Sequence, residues 1–92
     1  MPSAHLKYGD LNFADLRNAY LRFSLLYGAN LSGADLTHAE LSNSELRNSD
    51  LQGADLTHAE LSGANLSGVI ADSRTTCPNG IHWTFQGHNC PF

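Results

Sequence analysis

Thirteen of the fourteen leucines fall on one arithmetic series with no gap: Leu6, Leu11, Leu16, Leu21, Leu26, Leu31, Leu36, Leu41, Leu46, Leu51, Leu56, Leu61 and Leu66. A small residue stands two places before each: Ala, Gly or Ser, from Ala4 through to Ala64. A period of five suits neither common element. Along an α-helix, five residues overshoot one turn by about 140°, so the leucines would spiral around every side. Along one strand, odd spacing would throw successive leucines to opposite faces of the pleat. The remaining solution is a chain that runs extended for about three residues, with the small residue and the Leu on one side, and then turns a corner. Repeated, it makes a coil with its leucines inside.

The residue two after each Leu supports the corner. It is Gly28, Gly33, Gly53, Gly63 and Gly68, or Asn18, Asn43, Asn48, His38 and His58, the types that best tolerate positive φ. Tyr8, Phe13 and Phe23 break this rule, and a different turn is expected there. Residues 33–42 recur letter for letter as 53–62. A step of twenty residues, or four pentads, would stack such segments at a spacing of about 4.8 Å, each coil needing its neighbour to close the core.

This pattern resembles the pentapeptide-repeat family, A(D/N)LXX, over residues 4–68. The resemblance implies an all-β fold, a right-handed quadrilateral parallel β-helix of a little over three coils. The expected division is a β-helix over 1–70 and a loop-rich C-terminal cap over 71–92. In the cap the pentads fade and Trp83, Phe85, Phe92 and both cysteines appear. Cys77-Pro78-Asn79-Gly80 is a turn signature. A disulfide between Cys77 and Cys90 is expected, since similar Thr-Thr-Cys-Pro tails follow the repeats in some members of the family. Buried thiols, or a zinc set of Cys77, His82, His88 and Cys90, are the other readings; the spacing of that set matches no standard finger.

The first coil and the start of the second place Tyr8, Phe13, Tyr20, Phe23, Leu25 and Tyr27 outward, where later coils carry small or polar groups. Two readings follow: a lid folded over the open end, or an interface with a partner or a second copy. Acids form columns twenty residues apart, Asp15, Asp35 and Asp55 in one, Glu40 and Glu60 in another. The simplest reading is the family's ordinary repeat position. His38 and His58 should stack, and the internal duplication suffices to explain them.

Nine Asp plus Glu against five Lys plus Arg give a net charge of −4, which disfavours direct binding of nucleic acid. No apolar run approaches the roughly 20 residues of a membrane span, and Met1-Pro2-Ser3-Ala4-His5 has no secretory pattern. The compartment stays open, with the cysteine pair pointing to an oxidising space and the cytoplasm as the alternative. No nucleophile elbow, phosphate loop or zinc-protease motif occurs. No enzyme activity, cofactor, metal or small-molecule substrate is expected. The chain reads as a non-catalytic structural module for protein interaction that shows flat polar faces and a hydrophobic first coil to a protein partner or to itself. The alternative, implied by family members that protect gyrase, is an acidic rod that mimics DNA and binds a type II topoisomerase once dimerised.

Overall fold

The computed structural model describes residues 8–80. Among these residues the pairing is entirely parallel and, with one exception, steps by twenty. The bridges form four columns, Asp10–Asn30–Asp50–Ile70, Asp15–Asp35–Asp55–Thr76, Tyr20–Glu40–Glu60 and Leu25–Glu45–Asn65, here the first to fourth faces in chain order. Among the described residues these are single-residue bridges rather than continuous strands. The corner arrives too soon after each bridge for a longer ladder.

One pentad shows how the backbone is satisfied. Asn30 donates its N–H back to the Gly9 carbonyl (2.8 Å), while Leu31 and Gly33 donate forward to Asp50 and Gln52 (2.8 Å each). Ala34 closes the corner onto the Leu31 carbonyl at 3.0 Å. The fifth donor, Ser32 N–H, goes to the side-chain Oδ1 of Asn30 at 3.1 Å. The same side-chain bond serves Asn12, Arg17, Thr37, Gln52, Thr57 and Ser67, each held by the Asp or Asn two residues before it. The repeat therefore prefers a short side chain with an acceptor before the Leu, because it completes a peptide group that stacking leaves over.

Inside, Leu21 to Leu61 are buried together with Ala29, Ala34, Ala39, Ala54 and Ala59, and Ser24, Ser44 and Ser49 take the same small inward place. Leu11 and Leu16 toward one end of the described residues and Leu66 and Val69 toward the other pack against this core only partly buried.

The corners correct one expectation. Tyr8, Phe13 and Phe23 turn exactly as the others do, with φ of 56°, 61° and 59° beside 60° at His38. The side chains of Tyr8 and Phe13 lean along the outside: an added Cβ on Gly28 or Gly33 would fall 2.5 Å from the ring of Tyr8 or Phe13 respectively. Asn43 lies in the same way over Gly63, and Asn48 over Gly68. A side chain that lies flat on a corner thus calls for glycine one coil later.

Stacking does not stop at residue 70, where the pentad pattern fades. Leu56 donates to the Thr76 carbonyl and His58 to that of Pro78. The bridge Asp55–Thr76 spans twenty-one residues, so one residue is inserted. Asp72 absorbs it: its Oδ1 accepts the Gly53 N–H at 3.1 Å, where Gly33 uses a backbone carbonyl. Thr75 then fills the small inward place, its hydroxyl donating to the Leu51 carbonyl at 2.7 Å, and Cys77 takes the leucine place, 1% exposed.

Gly33 and Gly53 share one corner column and similar φ, +69° and +71°, but the nearest atom to a Cβ on Gly53 is 3.7 Å away. Gly53→Ala is expected to cost about 1–2 kcal/mol for the left-handed conformation alone. Gly33→Ala should cost about 1–3 kcal/mol more through crowding by Phe13. That excess should vanish in a Phe13→Ala background, as read by urea denaturation of the wild type, the three single variants and Phe13→Ala/Gly33→Ala.

Candidate functional site

Of the six residues expected at an interface, Tyr8, Phe13, Tyr20 and Phe23 are more than half exposed, whereas Leu25 and Tyr27 are half-buried. They do not form one patch. Tyr8 meets Tyr27 edge-on with ring centroids 5.6 Å apart, and the Arg47 guanidinium lies 4.8 Å from the Tyr27 ring. Tyr20, Arg22 and Phe23 form a second group on the third face, Arg22 being 5.8 Å from the Phe23 centroid. Phe13 sits on another corner, against Gly33. The arginines beside these rings were the missed part of the site. Their signal was present in the sequence as Arg22 next to Phe23 and Arg47 twenty residues after Tyr27.

The acidic ladder is real as geometry, since Asp15–Asp35–Asp55 and Glu40–Glu60 are directly bridged. Its oxygens are largely engaged at home. Thr37 donates both N–H and hydroxyl to Asp35 Oδ1 (3.1 and 2.8 Å), Thr57 does the same for Asp55, and Ser42 Oγ donates to Glu40 at 2.8 Å. Arg17 binds Asp15 through Nε and Nη2 at 2.8 Å each and reaches Asp35 at 3.9 Å. Bonding to that guanidinium, helped by the Arg17 N–H, lowers the Asp15 carboxyl to about 2. Asp72 is likewise held below the usual carboxylate range, first by Arg74, and also by the N–H groups of Arg74 and Gly53.

His38 and His58 stack, with centroids 4.9 Å apart and planes at 30°. They line a shallow open cleft with Ala59, Glu60, Pro78 and Asn79. Stacked imidazoles aim their nitrogen lone pairs in parallel planes, which does not suit one shared ion. Among the described residues no group of three His, Cys, Asp or Glu is placed to hold a metal. Cys77 is disulfide-bonded, which removes its sulfur from the zinc set considered above. Cys90, His82 and His88 lie outside the described residues. Also among those residues, no helix is long and apolar enough to cross a membrane.

These coils of four leucine-centred faces define a class of repeat protein, and comparison with known proteins agrees. The chain belongs to the pentapeptide-repeat family, whose model, pentapeptide repeats in eight copies, matches residues 14–53 and 34–70. A pentapeptide repeat protein from the thylakoid lumen of Arabidopsis thaliana is similar in structure, with a TM-score of 0.61 and 31% identity over 79% of this chain and 54% of that one. HetL of the cyanobacterium Nostoc, involved in regulation of heterocyst differentiation, gives 0.59 and 34% over 88% of this chain and 41% of its own. A further Nostoc pentapeptide repeat protein gives 0.56 and 33% over 86% and 70%. The fold is the right-handed β-helix of these proteins, and the chain spans about half the length of the first two. No curated protein sequence matches.

Two outcomes test the local chemistry. Asp35→Ala should cost about 1 kcal/mol by leaving the Thr37 N–H without its acceptor, while Asp35→Asn, which keeps the acceptor as Asn30 does, should be near neutral in denaturant titration. The Asp15 carboxyl titrates lower folded than in an unfolded chain, where it sits at about 3.9. Its pairing with Arg17 therefore stabilises the fold fully above that value and is lost as pH falls through about 2. Carboxyl NMR should find Asp15 titrating near 2, and Arg17→Gln should move it up toward the ordinary value.

Proposed function

We propose that this chain is a non-catalytic protein-interaction module that presents the aromatic and arginine groups of its first coil to a protein partner. The carrying observation is where apolar surface remains uncovered. Of the five exposed large hydrophobics among the described residues, Tyr8, Phe13, Tyr20, Phe23 and Ile70, four lie in residues 8–23. The coils that follow show none there until Ile70. Tyr and Arg are the residues that dominate binding energy at protein interfaces, because each joins a large contact area to a polar tip. The faces are flat, the cleft beside His38 and His58 is open to water, and neither encloses a substrate.

The segment 71–92 is proposed as the cap of the stack, with Thr75 and Cys77 as its buried plug over Leu51 and Leu56. DNA mimicry is the weaker reading. Residues 1–30 carry Lys7, Arg17 and Arg22 against Asp10 and Asp15, a net +1, whereas 31–70 carry Arg47 against Asp35, Glu40, Glu45, Asp50, Asp55 and Glu60, a net −5. The charge is thus a gradient along the axis and not a uniform rod.

The test is retention of proteins from an extract of the source cells on immobilised wild type and on Tyr20→Ser/Phe23→Ser. A specific protein held by the wild type and lost by the variant, with both equally folded by circular dichroism, is the expected result. Identical retention on both would remove the first coil from the function.

A further inference from the structure

Nearly every charged side chain among the described residues has a partner within the chain. Arg17 pairs with Asp15, Arg47 with Glu45 and Arg74 with Asp72. Asp10, Asp35, Asp50, Asp55 and Glu40 accept bonds from residues two places on. Two are left without a hydrogen bond or ion pair, Arg22, which touches only the Phe23 ring, and Glu60. They are of opposite sign and both exposed. They also share the third face, where Tyr20, Glu40 and Glu60 are bridged in one column. Two coils separate them, about 10 Å along the axis, which is too far for them to meet in one molecule.

We infer that the third face is a self-recognition surface that pairs two copies antiparallel about a two-fold axis through Glu40. This rests on the interaction reading above and names the partner as a second copy of this chain. A two-fold axis at the middle coil sets the first coil of one copy against the third coil of the other, and the reverse, so that Arg22 meets Glu60 of the second copy twice. Shapes match as the charges do. Tyr20 and Phe23, each more than half exposed, come to lie against the Glu60-Leu61-Ser62-Gly63 stretch, which offers nothing large beyond its carboxylate. A parallel pairing would oppose Arg22 to Arg22 and Glu60 to Glu60. At the axis two Glu40 side chains approach; each already accepts the Ser42 hydroxyl, and their repulsion is set against two Arg–Glu pairs.

Three coils of one face fall well below the roughly 800 Å² per partner of a standard interface, so the association is weak and salt-sensitive. Sedimentation velocity from about 10 μM to about 1 mM, the range suited to such an affinity, is the test. Wild type should climb toward twice the monomer mass at low salt and fall back at high salt. Arg22→Glu and Glu60→Arg should each remain monomeric, and the double variant Arg22→Glu/Glu60→Arg should regain the dimer. Neither side chain has a hydrogen bond or ion pair to lose within the chain, and Arg22 gives up only its exposed contact with the Phe23 ring, so far-UV circular dichroism should be unchanged and melting nearly so in all three. A wild type that stays monomeric throughout, a single reversal that leaves the dimer intact, or a double variant that fails to recover would each overturn the pairing. Loss of the pairing with retention of another protein in the Tyr20→Ser/Phe23→Ser comparison would leave the interaction reading standing and overturn only the choice of a second copy, so the two failures are told apart.

Discussion

Each pentad must place five peptide N–H groups, and stacking with corner closure takes only four. Two donate to the following coil, one to the preceding coil and one across the corner. The group just after the leucine finds a side chain instead, in the pentads that carry Asp or Asn before the leucine. A buried or half-buried peptide group without a partner costs about as much as a lost hydrogen bond. The aspartates of the outer faces are thus first a solution to a backbone problem, and the Asp15–Asp35–Asp55 ladder of like charges is its by-product. Thr37 and Thr57 add a hydroxyl to the same acceptors and Ser42 gives its own to Glu40, which moderates the repulsion of carboxylates stacked one coil apart.

With the backbone and core so uniform, individuality resides in what departs from the repeat. The departures are unevenly distributed. Aromatic rings and unmatched positive charge gather in the first coil, and unmatched negative charge lies two coils on. Rigid flat faces suit such a division, because groups on them hold their spacing without the entropy cost of ordering a loop on contact. The third face carries bulk and positive charge at one end and small groups with a carboxylate at the other.

Much of this was legible beforehand, since spacing alone excludes helix and continuous strand, and Leu, the small residue and the Gly or Asn corner each occupy a column whose role is steric. The twenty-residue step could be read from the duplicated segment 33–42 and 53–62. What was not legible depended on neighbours one coil away. Tyr8, Phe13 and Phe23 read as exceptions to the corner rule because aromatic residues seldom adopt positive φ. Only the glycines at 28 and 33, twenty residues on, show how Tyr8 and Phe13 are accommodated. Likewise Thr75 and Cys77 looked like the start of an irregular tail, because a single inserted residue hides a small-x-large pattern from any fixed period. That Arg22 and Glu60 find no ion pair within the chain could not be judged from spacing at all, since long side chains choose among several neighbours.

The inserted residue beside Asp72 has a further meaning. Before it, the bridges pair residues twenty apart and the hydrogen bonds repeat in register with them, so a coil can be duplicated or deleted whole, and each survivor finds the same kind of neighbour above and below. Such a molecule has no intrinsic length, and the exact repeat of 33–42 in 53–62 is what copying of that sort leaves behind. After the insertion the numbering no longer matches, and a carboxylate stands where a coil would offer a carbonyl. Asp72 therefore acts as punctuation: coils can be copied upstream of it while Thr75 and Cys77 keep the same seat on whichever coil precedes them.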